Sequence, residues 1–214
     1  MIFKRICKIC FKDIKDDNLA AFINPKLCLC KKCYERLTPK FISFKVKNYS
    51  AISIYQYDEE IRALLYQFKG CFDIELAGIF LDRYCTYYRY RFVGYTIIPV
   101  PSFVMDDEIR GFNHVQEMFS FLKLPMQIAL VKTEHFKQAS HNSEQRKEIS
   151  NYLELKDNVN LAGKKVLIVD DVFTTGSTMK SAIKLIEKLH PKDIKIMVMS
   201  KTKDQHNYHS DITL

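Results

Sequence analysis

Four consecutive apolar residues, Val166 to Val169, precede two aspartates and a run of small hydroxyl residues around one glycine; apolar positions then recur at Met179, Ala182, Ile183, Ile186 and Leu189. The unbroken run predicts a buried strand, and the spacing of three and four predicts an amphipathic helix directly behind it. Asp170 and Asp171 thus fall at the carboxyl end of a strand, with Thr174, Thr175, Gly176, Ser177 and Thr178 turning into the helix. In such a turn successive backbone N–H groups can curl into a nest that meets the positive end of the helix, a cradle for a phosphate. Ionised carboxylates beside it accept hydrogen bonds from vicinal hydroxyls, so the combination suits a sugar phosphate. The plainer alternative is a helix cap, which Ser177 or Thr178 could supply alone.

The same patterning organises the rest of the chain. Alternation at Ala51, Ser53, Tyr55 and Tyr57 predicts a strand from Tyr49; Asp58, Glu59 and Glu60 open a helix whose stripe is Ile61, Leu64, Leu65 and Phe68, ended by Lys69-Gly70. Residues 74–90 carry a second helical pattern. Tyr95 to Pro101 reads as a buried strand broken by prolines at its exit, where ligand loops of open α/β sheets lie. Arg110-Gly111-Phe112-Asn113 leads into a helix with Val115, Met118, Phe119 and Leu122 on one side. Further strands are predicted at 128–132 and 194–199, a polar irregular stretch at 133–150, a connector at 41–47 and a disordered tail at 201–214. Strands alternating with helices predict an α/β fold with a doubly wound, mostly parallel sheet.

Cysteine and charge add a second unit. Cys7-x-x-Cys10 and Cys30-x-x-Cys33 are two knuckles separated by 19 residues, the spacing of a closed tetrahedral Cys₄ site for a structural Zn²⁺. Spacing leaves open whether Cys28 replaces Cys30 or Cys33. Residues 1–50 hold 12 Lys/Arg against 4 Asp/Glu, which accounts for the whole net charge of +8, because the remainder holds 21 of each. A basic module suggests a polyanion, single-stranded DNA first, with Lys8, Lys12, Lys31 and Lys32 as contacts; the alternative is an ordinary solvated lysine surface. The division expected is a zinc module at 1–48, an α/β domain at 49–200 and the tail. No apolar run approaches the ~20 residues of a membrane span and no secretory signal is evident, so a cytoplasmic protein without membrane insertion is expected. No Walker loop, H-E-x-x-H, GxGxxG or nucleophile elbow is present, and no catalytic residue can be read.

The thirteen residues from Val166 to Thr178 resemble the phosphoribosyl pyrophosphate (PRPP) signature of the type I phosphoribosyltransferases. That resemblance implies that Asp170 and Asp171 hold the ribose 2′ and 3′ hydroxyls and Thr174 to Thr178 the 5′-phosphate, with Mg²⁺ accompanying PRPP. A cysteine knuckle pair, a helix ending in Lys-Gly, a Pro-Val-Pro exit, Arg110-Gly-Phe-Asn and the PRPP signature, in that order over about residues 5–200, resemble the ComF family of bacterial DNA-uptake competence proteins. The family implies that Arg110 belongs to the PRPP site, that 133–150 with Gln138 and Arg146 forms a flexible hood, and that partners include single-stranded DNA and DNA-uptake helicase or translocation proteins. Two departures stand out. Met105-Asp106-Asp107-Glu108 occupies a segment where the family usually carries basic residues, and Phe136 and Ile149 stand where it tends to place Thr and Asn. Negative charge opposes a diphosphate unless Mg²⁺ intervenes. The expectation is therefore a competence protein of natural transformation with a PRPP site; the alternative is a PRPP-dependent transferase of nucleotide metabolism.

Overall fold

A computed structural model describes residues 5–14, 29–102, 104–136 and 149–203. In chain order its elements are α1 (Lys31–Arg36), β1 (Ile42–Val46), β2 (Tyr49–Gln56), α2 (Glu59–Gly70), α3 (Cys85–Arg91), β3 (Tyr95–Pro99), α4 (Val104–Arg110), α5 (His114–Ser120), β4 (Leu130–Phe136), β5 (Ile149–Leu155), β6 (Lys165–Phe173), α6 (Ser177–Glu187) and β7 (Asp193–Lys201). Five strands form one sheet of order β1-β2-β7-β6-β3. β2, β7, β6 and β3 run parallel, and β1 is added antiparallel at the edge.

The apolar run of β6 is buried because both faces of the sheet are covered. Leu167 and Val169 pack with Leu65 and Phe68 of α2 and with Met118 and Phe119 of α5. Val166 and Ile168 pack on the opposite face against Met179, Ala182, Ile183 and Ile186 of α6. This is the doubly wound arrangement expected. It also fixes the position of a ligand site: β3 and β6 are neighbours, yet the helices that follow them lie on opposite faces. Their carboxyl ends therefore bound a crevice at a topological switch point.

Several segments differ from the sequence expectation. Residues 41–47 are not a connector, since β1 pairs along its whole length with β2. The helix expected at 74–90 breaks into a 3₁₀ turn at Ile74–Leu76 and the short α3. Between them Leu76, Ala77, Ile79, Phe80 and Leu81 are all buried, so no polar face remains to solvate a helix, and the Phe80 carbonyl accepts the buried Tyr55 hydroxyl (3.0 Å). Residues 105–108 are helical within α4. The strand expected at 128–132 starts at Leu130 and joins β5 in a separate antiparallel pair, while only Met126 bridges to Ile97 of the main sheet. That pair takes both ends of the expected hood; Gln138 and Arg146 lie outside the described residues. Lys201 is the buried last residue of β7, and Thr202 N–H donates to the Phe173 carbonyl (3.0 Å), so the sheet reaches into the expected tail; 204–214 lie outside the described residues.

The cysteine-bearing segments share the main core. Cys7, Ile14, Leu29, Cys33 and Leu37 pack in one cluster with Leu64 and Phe68 of α2. Among the described residues no helix is long and apolar enough to cross a membrane.

Candidate functional site

Asp170 and Asp171 end the buried part of β6, at the mouth of the crevice between β3 and β6. The chain then turns through Gly176, whose φ of +74° belongs to the left-handed region and where a Cβ would lie 2.5 Å from the Phe173 ring. Only glycine meets both demands. α6 begins at the next residue with Gly176 as its N-cap, which has no side chain to cap the first turn. Thr174, Thr175, Ser177 and Thr178 are exposed around this helix start, and Thr175 Oγ1 lies 3.2 Å from Ser177 Oγ. Backbone donors and hydroxyls thus surround a positive helix end, which suits a phosphate.

The two acids have different surroundings. Asp171 is buried, 7% exposed. Its Oδ2 accepts Lys69 Nζ from the last turn of α2 and His114 Nε2 (3.2 Å) from the start of α5, while Oδ1 accepts the Val172 N–H (2.7 Å). Burial alone would raise this carboxyl, but the His114 hydrogen bond and the Lys69 charge hold it well below the usual carboxylate range. Asp170, half-buried, is pushed up by burial and then by the negative charge of Asp171, although it accepts the Asp171 N–H (2.9 Å). Neighbouring acids with opposite shifts divide the work: Asp171 is a fixed anion, and Asp170 is the one that gains from a cation or a hydroxyl donor.

Behind Asp171 runs a hydrogen-bonded chain. Arg110 Nη1 lies 3.1 Å from His114 Nδ1, and because a guanidinium can only donate, Nδ1 is the acceptor and Nε2 carries the proton given to Asp171. Arg110 Nε donates to the Lys69 carbonyl (2.8 Å), satisfying the end of α2, and Nη1 also donates to Asp107 Oδ1 (2.9 Å). Asp107 further accepts Ser102 Oγ (2.5 Å) and Asn113 Nδ2 (2.6 Å). Asn113 in turn caps α5 by accepting the Gln116 N–H (2.9 Å). Arg110 is therefore a scaffold residue in this arrangement, its side chain 9% exposed. Asp107, which sequence reasoning set against a diphosphate, spends both oxygens inside the protein, while Asp106 and Glu108 face outward. Lys69, Asp107, Asn113 and His114 were all missed as site residues. The Asn113 cap and the Lys69-Gly70 helix end were legible signals of position; contact with Asp171 was not.

The second cluster is the cysteine centre. Ligand atoms of Cys7, Cys10, Cys30 and Cys33 all lie within 4.8 Å of one another, and Cys10 Sγ is 3.7 Å from Cys30 Sγ. A tetrahedral ion with bonds of about 2.3 Å to sulfur sets neighbouring sulfurs about 3.8 Å apart, so the thiols fit one. The first knuckle closes by Cys7 N–H to Lys12 O (2.9 Å) and Phe11 N–H to Cys7 O (2.8 Å), and the second by Tyr34 N–H to Cys30 O (3.0 Å) at the start of α1. Burial would raise the Cys7 thiol, yet backbone N–H groups of Cys10, Cys30 and Ile9 bring it down to about 7, whereas burial and the neighbouring thiols push the Cys33 thiol up. Cys28 lies outside the described residues. Of the four lysines proposed for DNA, Lys8 pairs with Glu75 (2.6 Å), Lys31 lies 3.9 Å from Glu35, and Lys12 and Lys32 are exposed.

Comparison with known proteins agrees with these features. The phosphoribosyl transferase domain family matches residues 110–212. Competence protein ComFC of Streptococcus pneumoniae is 28% identical over 147 residues, 67% of this chain and 64% of that protein, so the chain spans a little under two thirds of that relative's length. Phosphoribosyltransferase domain-containing protein 1 of Xenopus tropicalis is 26% identical over 155 residues, 62% of this chain and 69% of that protein. A hypoxanthine-guanine phosphoribosyltransferase structure from Bacillus anthracis superposes with a TM-score of 0.40 at 15% identity, covering 66% of this chain and 74% of the other. The chain is thus similar to ComFC and carries a phosphoribosyl transferase domain match over just under half of its length, behind a four-cysteine cluster.

Proposed function

We propose that the crevice binds PRPP or a related phosphoribosyl ligand together with Mg²⁺, and that the protein handles single-stranded DNA in natural transformation. The observation that carries the first part is the unequal acid pair beside the Gly176 turn. The helix start receives the 5′-phosphate, Asp170, whose charge the protein leaves unbalanced, meets the ribose hydroxyls and the cation, and Asp171, held by Lys69 and His114, fixes the strand end beside them. Carboxylate oxygens at one strand end are the donors Mg²⁺ takes, usually with substrate phosphates completing its shell. The competence role follows the ComFC relative, with the cysteine centre holding structural Zn²⁺ and the exposed Lys12, Lys31 and Lys32 beside the knuckles meeting DNA phosphates.

Turnover of PRPP is the second reading, and one observation favours it. Asp107 is committed to Ser102, Arg110 and Asn113, so one of the three acidic charges that argued against a pyrophosphate is balanced in place. Calorimetry with Mg²⁺ and PRPP tests binding: Asp170→Asn loses a charged acceptor worth about 1.5–3 kcal/mol, roughly 10- to 150-fold in affinity. Unchanged affinity would remove the ribose role. Pyrophosphate release against a panel of bases and oligonucleotides then separates a binding protein from a transferase.

A further inference from the structure

Far from the crevice, at the amino ends of the parallel strands, an open cleft of about 540 Å³ lies against the sheet. Lys45 and Ser50 face each other across the β1–β2 pair, and Lys195 of β7 is in register with Leu167, which puts it on the sheet face covered elsewhere by α2 and α5. Arg91, at the end of α3, and Tyr95, at the start of β3, form the other wall. Among the described residues lining the cleft there are three cations and no carboxylate. The Tyr95 hydroxyl donates to Asp193, which does not line the cleft.

The wall contributed by α3 continues as an aromatic surface. Tyr87 and Tyr90 are 56% and 75% exposed, and at spacings of three and four they share a helix face with Arg91. Arg91 Nη1 donates to Tyr87 Oη (2.8 Å), which holds the guanidinium at the junction of tyrosines and cleft. Large exposed rings interleaved with cations, leading into a basic cleft, are the arrangement that takes phosphates in a groove and unpaired bases on ring faces. A paired base has no face to offer the tyrosines.

We infer that this cleft and the adjoining Tyr87–Tyr90 face bind single-stranded nucleic acid, with Lys45, Arg91 and Lys195 on the backbone and the tyrosines beneath bases. The inference rests on the role in handling single-stranded DNA proposed above, and it adds to the lysines beside the knuckles a second contact surface for the strand, separate from the phosphoribosyl crevice. Fluorescence anisotropy with a labelled oligothymidylate of about 16 nucleotides tests it across a salt series. Lys45→Glu with Lys195→Glu should weaken binding at least tenfold and flatten the log–log salt slope by about 1.4, two contacts at roughly 0.7 each. Tyr87→Ala with Tyr90→Ala should weaken binding about tenfold with little change of slope. Both variants keep wild-type PRPP affinity and melting temperature. If both bind the oligonucleotide like wild type while Lys31→Glu with Lys32→Glu abolishes binding, the cleft assignment falls and the DNA role stands. If wild type itself fails to bind at low salt, the DNA role falls and the assignment with it.

Discussion

Two clusters of ligating side chains flank α2, and they are finished to different degrees. Near its middle, Leu64 and Gln67 border the small cavity that Cys33 and Ile9 line, and the four thiols of the cysteine centre face mainly one another. At its end, Lys69 is already on Asp171, which also holds His114 and a backbone N–H. The four thiols are placed so that together they could hold a metal ion. The acid pair has one member neutralised by the protein and the other not. The two clusters thus differ in how much of the coordination the chain supplies to itself.

The largest effect should come from breaking the cysteine centre. Cys30→Ser or Cys33→Ser removes one of four thiolates, and binding free energy of a structural zinc is folding free energy. Because Cys7 and Cys33 share a core with Leu64 and Phe68, the loss should lower the melting temperature of the whole chain by ten degrees or so, at roughly 4 °C or less per kcal/mol, and abolish metal recovered by elemental analysis. Cys28→Ser should keep one zinc per chain. Zinc lost equally from Cys28→Ser and Cys30→Ser would show that the second pair of ligands is wrongly chosen.

Next in size is the contrast between the acids. Asp171→Asn leaves Lys69 and the His114 N–H without their anion, a loss of about 1–3 kcal/mol since Lys69 can swing toward solvent. Asp170→Asn should instead stabilise by on the order of 1 kcal/mol at neutral pH, because the native state disfavours its charge. Both should weaken PRPP binding. Denaturant melts read the first difference; a stabilised Asp171→Asn or a destabilised Asp170→Asn would reverse the assignment of roles.

The same contrast has a pH signature. Asp171 has a folded pKa below its unfolded value near 3.9, so its stabilisation is complete above that value and is lost as pH falls toward the folded one. Asp170 is shifted up, so its ionisation costs stability as pH rises from about 3.9 to its raised folded value. Asp171→Asn should therefore flatten the acid limb of the stability curve, and Asp170→Asn should lift the neutral side. Parallel curves for the two variants would mean that the acids titrate alike.

Much of this was readable before any coordinates. The apolar run of β6, the acids at its end, the Gly176 turn and the cysteine knuckles are local patterns, and local patterns survive in one dimension. The edge strand β1 was readable too, since Ile42, Phe44 and Val46 alternate, and the connector reading overlooked it. The Lys69–Asp171 contact was not, because it joins positions 102 residues apart and depends on how α2 crosses the sheet. β4 shows the related limit: its strand character is in the sequence, whereas its partner is decided by where the chain has room to pair.

The smallest effect concerns what fastens the cysteine centre to the rest. Lys8 and Glu75 form an ion pair at 2.6 Å between the first knuckle and the turn after α2, as Arg36 and Glu60 do at 2.9 Å between α1 and α2. The Lys8 and Glu75 side chains are 34% and 71% exposed, so water screens the pair and two flexible chains lose freedom in forming it. A double-mutant cycle with Lys8→Ala and Glu75→Ala should return a coupling of about 1 kcal/mol or less, shrinking further in salt. The attachment then rests on Cys33, Leu37 and Leu29 packing against Leu64 and Phe68. Leu37→Ala, which empties part of that contact, should cost about 2–5 kcal/mol. A coupling larger than the Leu37→Ala loss would mean that charge, and not the shared core, holds the two regions together.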